Sequence, residues 1–285
     1  MSDEASHLKI LAEVFASSSA ALHVGIGDDA AVVAPTQSAI ALSTDMAVEG
    51  THFDREWSTP YEIGGKVAAA NLADIFAMGG KPEYLLVAAA IPSDFTAQDL
   101  KSLAEGIRDE AAKVNAIVVG GDLVSSAILT IAVSVFGEVS KPILRSGAKI
   151  GDVVAISGLP GESSRGLQLL QSGVRDERTK GHRYPDMDYS KIINLDITLT
   201  HALTDVSDGL IAELESLSQA SGVGIDIDSS RISTDIHTLH GGEDHIFVGT
   251  FITLPEGWIE IGRVEATSGV RLDGKVITHQ GFTHF

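Results

Sequence analysis

The chain has 285 residues, and 39 acidic side chains against 20 Lys and Arg give it a formal charge of −19. An evenly acidic surface with no basic cluster argues against nucleic acid and anionic membranes as partners, and the absence of cysteine excludes disulfides, thiolate nucleophiles and sulfur-rich metal sites. The length allows two domains of roughly 150 residues, whose cores must be built mainly from Ala, Val, Leu and Ile because aromatics are only 5%.

Taken in order, His7 to Ser17 places Leu8, Ile10, Leu11 and Val14 on one apolar face, which predicts a helix. Lys9 and Glu13 interrupt it, so it does not read as a signal peptide. The longest uncharged run, Leu123 to Gly137, has 15 residues, short of the ~20 that a membrane helix needs. A soluble cytoplasmic protein is expected.

The acidic loop GIGDDAAVV, Gly25 to Val33, comes next, followed by a short strand, Ala39 to Ser43, with Asp45 just past its end. Tyr61 to Met78 predicts a helix on which Ile63, Val67, Asn71, Asp74 and Met78 form one stripe. Two polar residues thus fall on an apolar face, and an unpaired buried carboxylate is costly, so Asp74 should face a cation or a cluster of donors. Tyr84 to Ile91 and Ala116 to Val119 predict strands around a helix from Ala97 to Val114, the second running into GGD at Gly120 to Asp122; Leu123 to Val139 predicts one more long strand.

Pro142 and Gly147 in an aperiodic stretch mark a domain boundary, giving domains 1–140 and 141–285. The second half predicts a strand at Asp152 to Ser157, a helix from the GLPGESSRG turn to Leu170, and a helix starting at Pro185. A strand at Ala202 to Val206 then ends in DVSDG, Asp205 to Gly209. Ser207 is placed to cap the helix marked by Leu210, Ile211, Leu214 and Leu217, with Asp205 and Asp208 at its N-terminus. Strands follow at Ile225 to Ile227, Ile246 to Leu254 and Trp258 to Val264, and a last hairpin, Val270 to Ile277, turns at Asp273 and Gly274. Each half is α+β, without a clean run of βαβ units.

The chemistry-bearing pattern is a series of aspartates beside glycine or hydroxyl residues: Asp29, Asp45 in STD, Asp74 in NLAD, Asp122 in GGD, and Asp205 and Asp208 in DVSD. Taken singly, each is equally a polar turn, a capped helix end or a solvated carboxylate. Together they ask for a hard cation such as Mg²⁺, which takes oxygen ligands and phosphates. Neither a P-loop nor a complete dinucleotide glycine loop is present. Arg145, Lys149 and Arg165 are candidate phosphate contacts or ordinary surface charges. His52 reads as a structural or surface histidine, and GGEDH, Gly241 to His245, as a turn entering a strand.

In this order, GIGDDAAVV, STDMAVEGTHF, NLADIFAMGGKP, GGDLVSS, RSGAKIGD, SGLPGESSRGL, DVSDGL, GGED and the closing GFTHF resemble the thiamine-monophosphate kinase family, within the superfamily of aminoimidazole ribonucleotide synthetase. The resemblance covers nearly the whole chain. It implies two α+β domains, an N-terminal ATP- and metal-binding domain that pairs into a barrel across a homodimer and a C-terminal domain that completes the active site. It implies transfer of the γ-phosphoryl group of ATP to thiamine phosphate, assisted by several Mg²⁺ ions. The implied magnesium ligands are Asp29, Ser43, Thr44, Asp45, Asp74, Asp122, Asp205 and Asp208, with the catalytic role resting on Asp45, Asp74, Asp122 and Asp208. Gly121, Asp122, Arg145 and Ser207 are the implied ATP contacts, and His52, Glu243 and Phe282 those of thiamine phosphate. His245 stands where the family's motif has tyrosine, and the segment from Ile227 to Gly241 is shorter than the family's. Two alternatives stay open, another ATP-using enzyme of the superfamily, such as a purine-pathway cyclo-ligase, and a noncatalytic Mg-nucleotide-binding module.

Overall fold

The computed structural model describes residues 4–17, 19–26, 30–34, 36 and 38–281. Asp29 and Phe282 lie outside the described residues. The chain divides into two compact units, 1–75 with 80–140, and 76–79 with 141–285.

The first unit runs α1 (Glu4–Val14), β1 (Leu22–Val24), β2 (Val32–Val33), β3 (Ala39–Val48), α2 (Pro60–Ala77), β4 (Lys81–Ile91), α3 (Ala97–Ala112), β5 (Ile117–Ser125) and β6 (Thr130–Val139). β1 and β2 pair by themselves, and the other four strands form a sheet in the order β3-β6-β4-β5. β6 is antiparallel to both its neighbours, while β4 and β5 are parallel. The strand, helix and strand expected over Tyr84 to Val119 thus form a βαβ unit, whose parallel pairing the sequence reading did not specify. Thr96 starts α3 with a capping box: its hydroxyl accepts from the Asp99 N–H while the Asp99 carboxylate accepts from the Thr96 N–H.

Along β6 burial alternates, and Ile131, Val133, Val135 and Val139 are buried. On β3, Ile40, Leu42 and Met46 are 58, 66 and 59% exposed; with side chains alternating across a strand, these three share a face with Thr44. This is a contiguous apolar stretch left open on one strand.

The second unit runs β7 (Val153–Ile156), α4 (Glu162–Gln171), α5 (Lys180–Arg183), α6 (Ser190–Ile193), β8 (Thr200–Asp205), α7 (Leu210–Ser221), β9 (Gly224–Ile227), α8 (Ile236–His240), β10 (Phe247–Phe251), β11 (Ile259–Glu265), β12 (Gly269–Leu272) and β13 (Lys275–Val276). Its sheet has seven strands in the order β13-β12-β9-β11-β7-β10-β8, with only β12 and β9 parallel. Leu210, Leu214 and Leu217 of α7 join Val154, Ile156, Ile225, Val248 and Ile261 of the sheet in one buried core.

Several boundaries differ from the sequence reading. β3 continues to Val48 and β5 to Ser125, so Asp45 and Asp122 stand inside strands and not beyond their ends. Pairing with β6 and β4 carries each strand through its polar residues. The expected long strand from Leu123 to Val139 is two strands, β5 and β6, separated at residues 126–129. Pro185 starts no helix; α5 ends before it. The five-residue α8 was not expected at all. No helix among the described residues is long and apolar enough to cross a membrane.

Candidate active site

In the first unit, the stripe on α2 that carried two polar residues explains itself through β3. Asn71 is completely buried. Its Nδ2 donates to the Val67 carbonyl at 2.8 Å and its Oδ1 accepts from the Asp45 N–H at 3.0 Å, so a helix side chain satisfies a strand N–H. One turn on, half-buried Asp74 accepts a hydrogen bond from the Ser43 hydroxyl. Thr44 turns the other way; its hydroxyl donates to the Val133 carbonyl at 3.1 Å and accepts from Ser134 at 3.0 Å. The consecutive Ser43, Thr44 and Asp45 thus do not present their side chains to one face.

Asp122 is exposed on β5, where its carboxylate accepts from the Leu123 N–H at 3.0 Å. Gly121, beside it, is required by packing: a Cβ there would stand 1.8 Å from the Val87 carbonyl oxygen of β4. A bulge at Val119, between the pairs Leu85 with Val118 and Leu86 with Gly120, sets this register. His52 is committed to the turn after β3: its Nδ1 accepts from the Val48 N–H at 3.1 Å, and its carbonyl accepts from Lys66 at 3.0 Å. The bare sequence left His52 as a structural or a surface histidine, and these two bonds give it a structural role in the turn.

In the second unit, the carboxylates sit deeper. Asp205, at the end of β8, is buried 3.1 Å from Nδ1 of His245. The residue that departs from the family's motif therefore meets one of its expected metal ligands. The expected cap by Ser207 is absent. Gly209 occupies the N-cap position, at φ +113°, where a Cβ would meet the His240 backbone at 2.8 Å, and Ser207 instead donates to Glu213 Oε1 at 3.3 Å. Half-buried Asp208 lies between Ser207 and Gly209.

Glu213 is the centre of this region and was missed in the sequence, although it sits three residues after Leu210 on the buried side of α7. It accepts from Thr204 at 3.3 Å and lies 3.7 Å from Arg145, which itself donates to Thr204 at 3.0 and 3.2 Å. Burial, then the nearby Asp205 charge, push its carboxyl up to about 7, against the opposing pull of Arg145. Of the other candidate phosphate contacts, Arg165 is already paired with Asp235 at 2.8 and 3.0 Å and bonded to Thr238, and the Lys149 amine lies 3.0 Å from His201.

Glu243 and His245 adopt positive φ, +64° and +51°, a region that side chains resist. Their N–H groups donate to the carbonyls of Ser207 (2.7 Å) and Val206 (3.0 Å). Between them Asp244 accepts from the N–H groups of Gly161 (2.5 Å) and Ser163 (2.9 Å) at the start of α4. Burial, opposed by these two bonds, pushes its carboxyl up to about 6.

Among the described residues, no group of three or more Asp, Glu or His side chains is arranged to hold a metal ion. The candidate donors are nevertheless carboxylate and hydroxyl oxygens, the chemistry that a hard cation takes.

Comparison with known proteins decides the family. Thiamine-monophosphate kinase from Mycobacterium tuberculosis is 36% identical over 274 residues, covering 88% of this chain and 82% of that protein. The enzyme of the same name from Aquifex aeolicus is 32% identical over 289 residues, covering 91% and 92%. The chain belongs to the thiamine-monophosphate kinase family. Residues 27–139 match the family described as AIR synthase related protein, N-terminal domain. A solved structure, AaThiL complexed with AMPPCP and TMP, superposes with a TM-score of 0.81 at 29% identity, covering 98% of this chain and 96% of that one. Membership fixes the α+β fold of the family. It also gives the ordered aspartate motifs a common context that none of them has alone.

Proposed function

We infer that the protein phosphorylates thiamine phosphate with ATP, giving thiamine diphosphate and ADP. The observation that carries this is family membership over most of the chain's length, together with a relative solved in complex with AMPPCP and TMP. The acceptor is a phosphate oxygen, largely ionised at neutral pH because a phosphate monoester's second pKa is about 6. No general base is needed, which agrees with the commitment of His52 to a turn. Phosphoryl transfer then depends on positioning and charge neutralisation.

We assign magnesium ligation to Asp45, Asp74 and Asp122 of the first unit, with Ser43 beside them, and to Asp205 and Asp208 of the second; Asp29 and Thr44 enter the set on resemblance. When held by these residues, Mg²⁺ would neutralise charge on the phosphate oxygens. Arg145, steadied by Thr204 and Glu213, supplies a guanidinium for triphosphate oxygens. Ser207 and the close-packed strand at Gly121 are the other ATP contacts, and Glu243, with His52 and Phe282, is assigned to thiamine phosphate. The open apolar face of β3 supports pairing of two copies through their first units.

The test is incubation of the purified protein with ATP, Mg²⁺ and thiamine phosphate, with chromatography of the products. Equal amounts of thiamine diphosphate and ADP, both lost on adding EDTA, are expected. ADP without thiamine diphosphate would move the reading to another superfamily reaction.

A further inference from the structure

The loop Gly241–His245 is fixed from two sides, yet the direction of its one partly open acidic side chain is decided elsewhere. Ser207 and Val206 hold its N–H groups, and Asp244 ties it to the start of α4. A Cβ at Gly242 would stand 2.4 Å from the Ser207 carbonyl, so the backbone has no slack. Glu243 leaves this loop with its side chain 32% exposed, and its Oε2 lies 3.4 Å from Nδ1 of His182. The same Nδ1 lies 3.1 Å from the hydroxyl of Ser163, which is 1% exposed.

His182 is itself wedged. It belongs to α5, packed so closely on α4 that a Cβ at Gly166 would stand 3.0 Å from the His182 Cβ, and one at Gly181 the same distance from the Glu162 Cβ. A buried imidazole locked by packing and by a buried hydroxyl thus touches the only carboxylate of the loop that keeps access to solvent. A supporting shell of this kind fixes the aim of a binding group.

We propose that His182 is a positioning residue for the thiamine phosphate half of the reaction, aiming the Glu243 carboxylate at the cationic, amine-bearing ring system of that substrate. The proposal rests on the reading that Glu243 meets thiamine phosphate. It assigns a role to a histidine of α5 that no sequence motif marks.

The test is steady-state kinetics on His182→Ala, His182→Asn, Glu243→Gln and the double variant His182→Ala/Glu243→Gln, varying each substrate in turn. Loss of the imidazole beside the Glu243 carboxylate should raise KM for thiamine phosphate about tenfold in His182→Ala, with kcat and KM for ATP within about twofold. His182→Asn, which keeps a polar group near the Nδ1 position, should recover most of that loss. The double variant should bind thiamine phosphate no worse than Glu243→Gln alone. Equal rises in KM for both substrates, or additive losses in the double variant, would overturn the positioning role while leaving the Glu243 assignment intact. An unchanged KM for thiamine phosphate in Glu243→Gln removes that assignment, and the proposal with it. Should His182→Ala fail to fold, Ser163→Ala takes its place: a rise of about threefold in the same KM supports the proposal, and no rise overturns it.

Discussion

Asp45 and Asp122 of the first unit and Asp205, Glu213 and Asp244 of the second sit in opposite settings. In the first, Asp45 and Asp122 stand exposed inside strands, where the backbone is satisfied by Asn71, by neighbouring strands and by local bonds. In the second, Asp205, Glu213 and Asp244 are buried and held by His245, by Thr204, Ser207 and Arg145, and by two backbone N–H groups. The first arrangement leaves both carboxylates in contact with solvent. The second makes the same residue type part of the fold, because a buried carboxylate without partners is destabilising.

The sharpest test of this contrast is Asp45→Asn or Asp122→Asn. Thiamine diphosphate formation should fall by at least about 100-fold, the scale of losing one electrostatic group on the transferring phosphoryl. The melting temperature of Asp122→Asn should stay unchanged, since its exposed carboxylate accepts from the neighbouring Leu123 N–H. Normal turnover would remove that residue from the site. Gly121→Ala lies next to Asp122 but acts through packing: a Cβ 1.8 Å from the Val87 carbonyl must separate β4 from β5, at about 2–4 kcal/mol by denaturant unfolding.

In the second unit the informative change is Glu213→Gln. The folded-state pKa of Glu213, about 7, lies above its ordinary value of 4.5, so the folded chain holds the proton more tightly than the unfolded one. Its contribution to stability is full below pH 4.5 and is lost as pH rises to about 7. Above that window Glu213→Gln should be more stable than the wild type, by on the order of 1–3 kcal/mol in metal-free buffer, and the gap should close on acidification. A pH-independent gap would sink the burial argument. The smallest effect belongs to Thr96→Ala, which removes the α3 capping box and should cost about 1 kcal/mol without altering either KM.

What could be read before folding was uneven, for physical reasons. Period and turn chemistry locate α2, α3, α7 and the Asp273–Gly274 hairpin to within a few residues. The polar residues on the α2 stripe were visible as misfits, and Asn71 and Asp74 proved to be where α2 serves β3. Strand ends were not legible at Asp45 and Asp122, because a polar residue inside a strand looks like a turn until the neighbouring strand is known. Glu213 hid among the leucines of α7, and His182 had no local signal, since its partners are 19 and 61 residues away.

The sequence by itself determined most of the longer helices and strands, the net acidic charge, the carboxylate and hydroxyl donors and, through the order of its motifs, the family. Tertiary structure alone decided which carboxylates are buried and which are open. It also decided that Thr44 turns away from Ser43, that His245 meets Asp205 and that His182 meets Glu243. Burial and contact are properties of packing between segments far apart in the chain, and no local pattern encodes them.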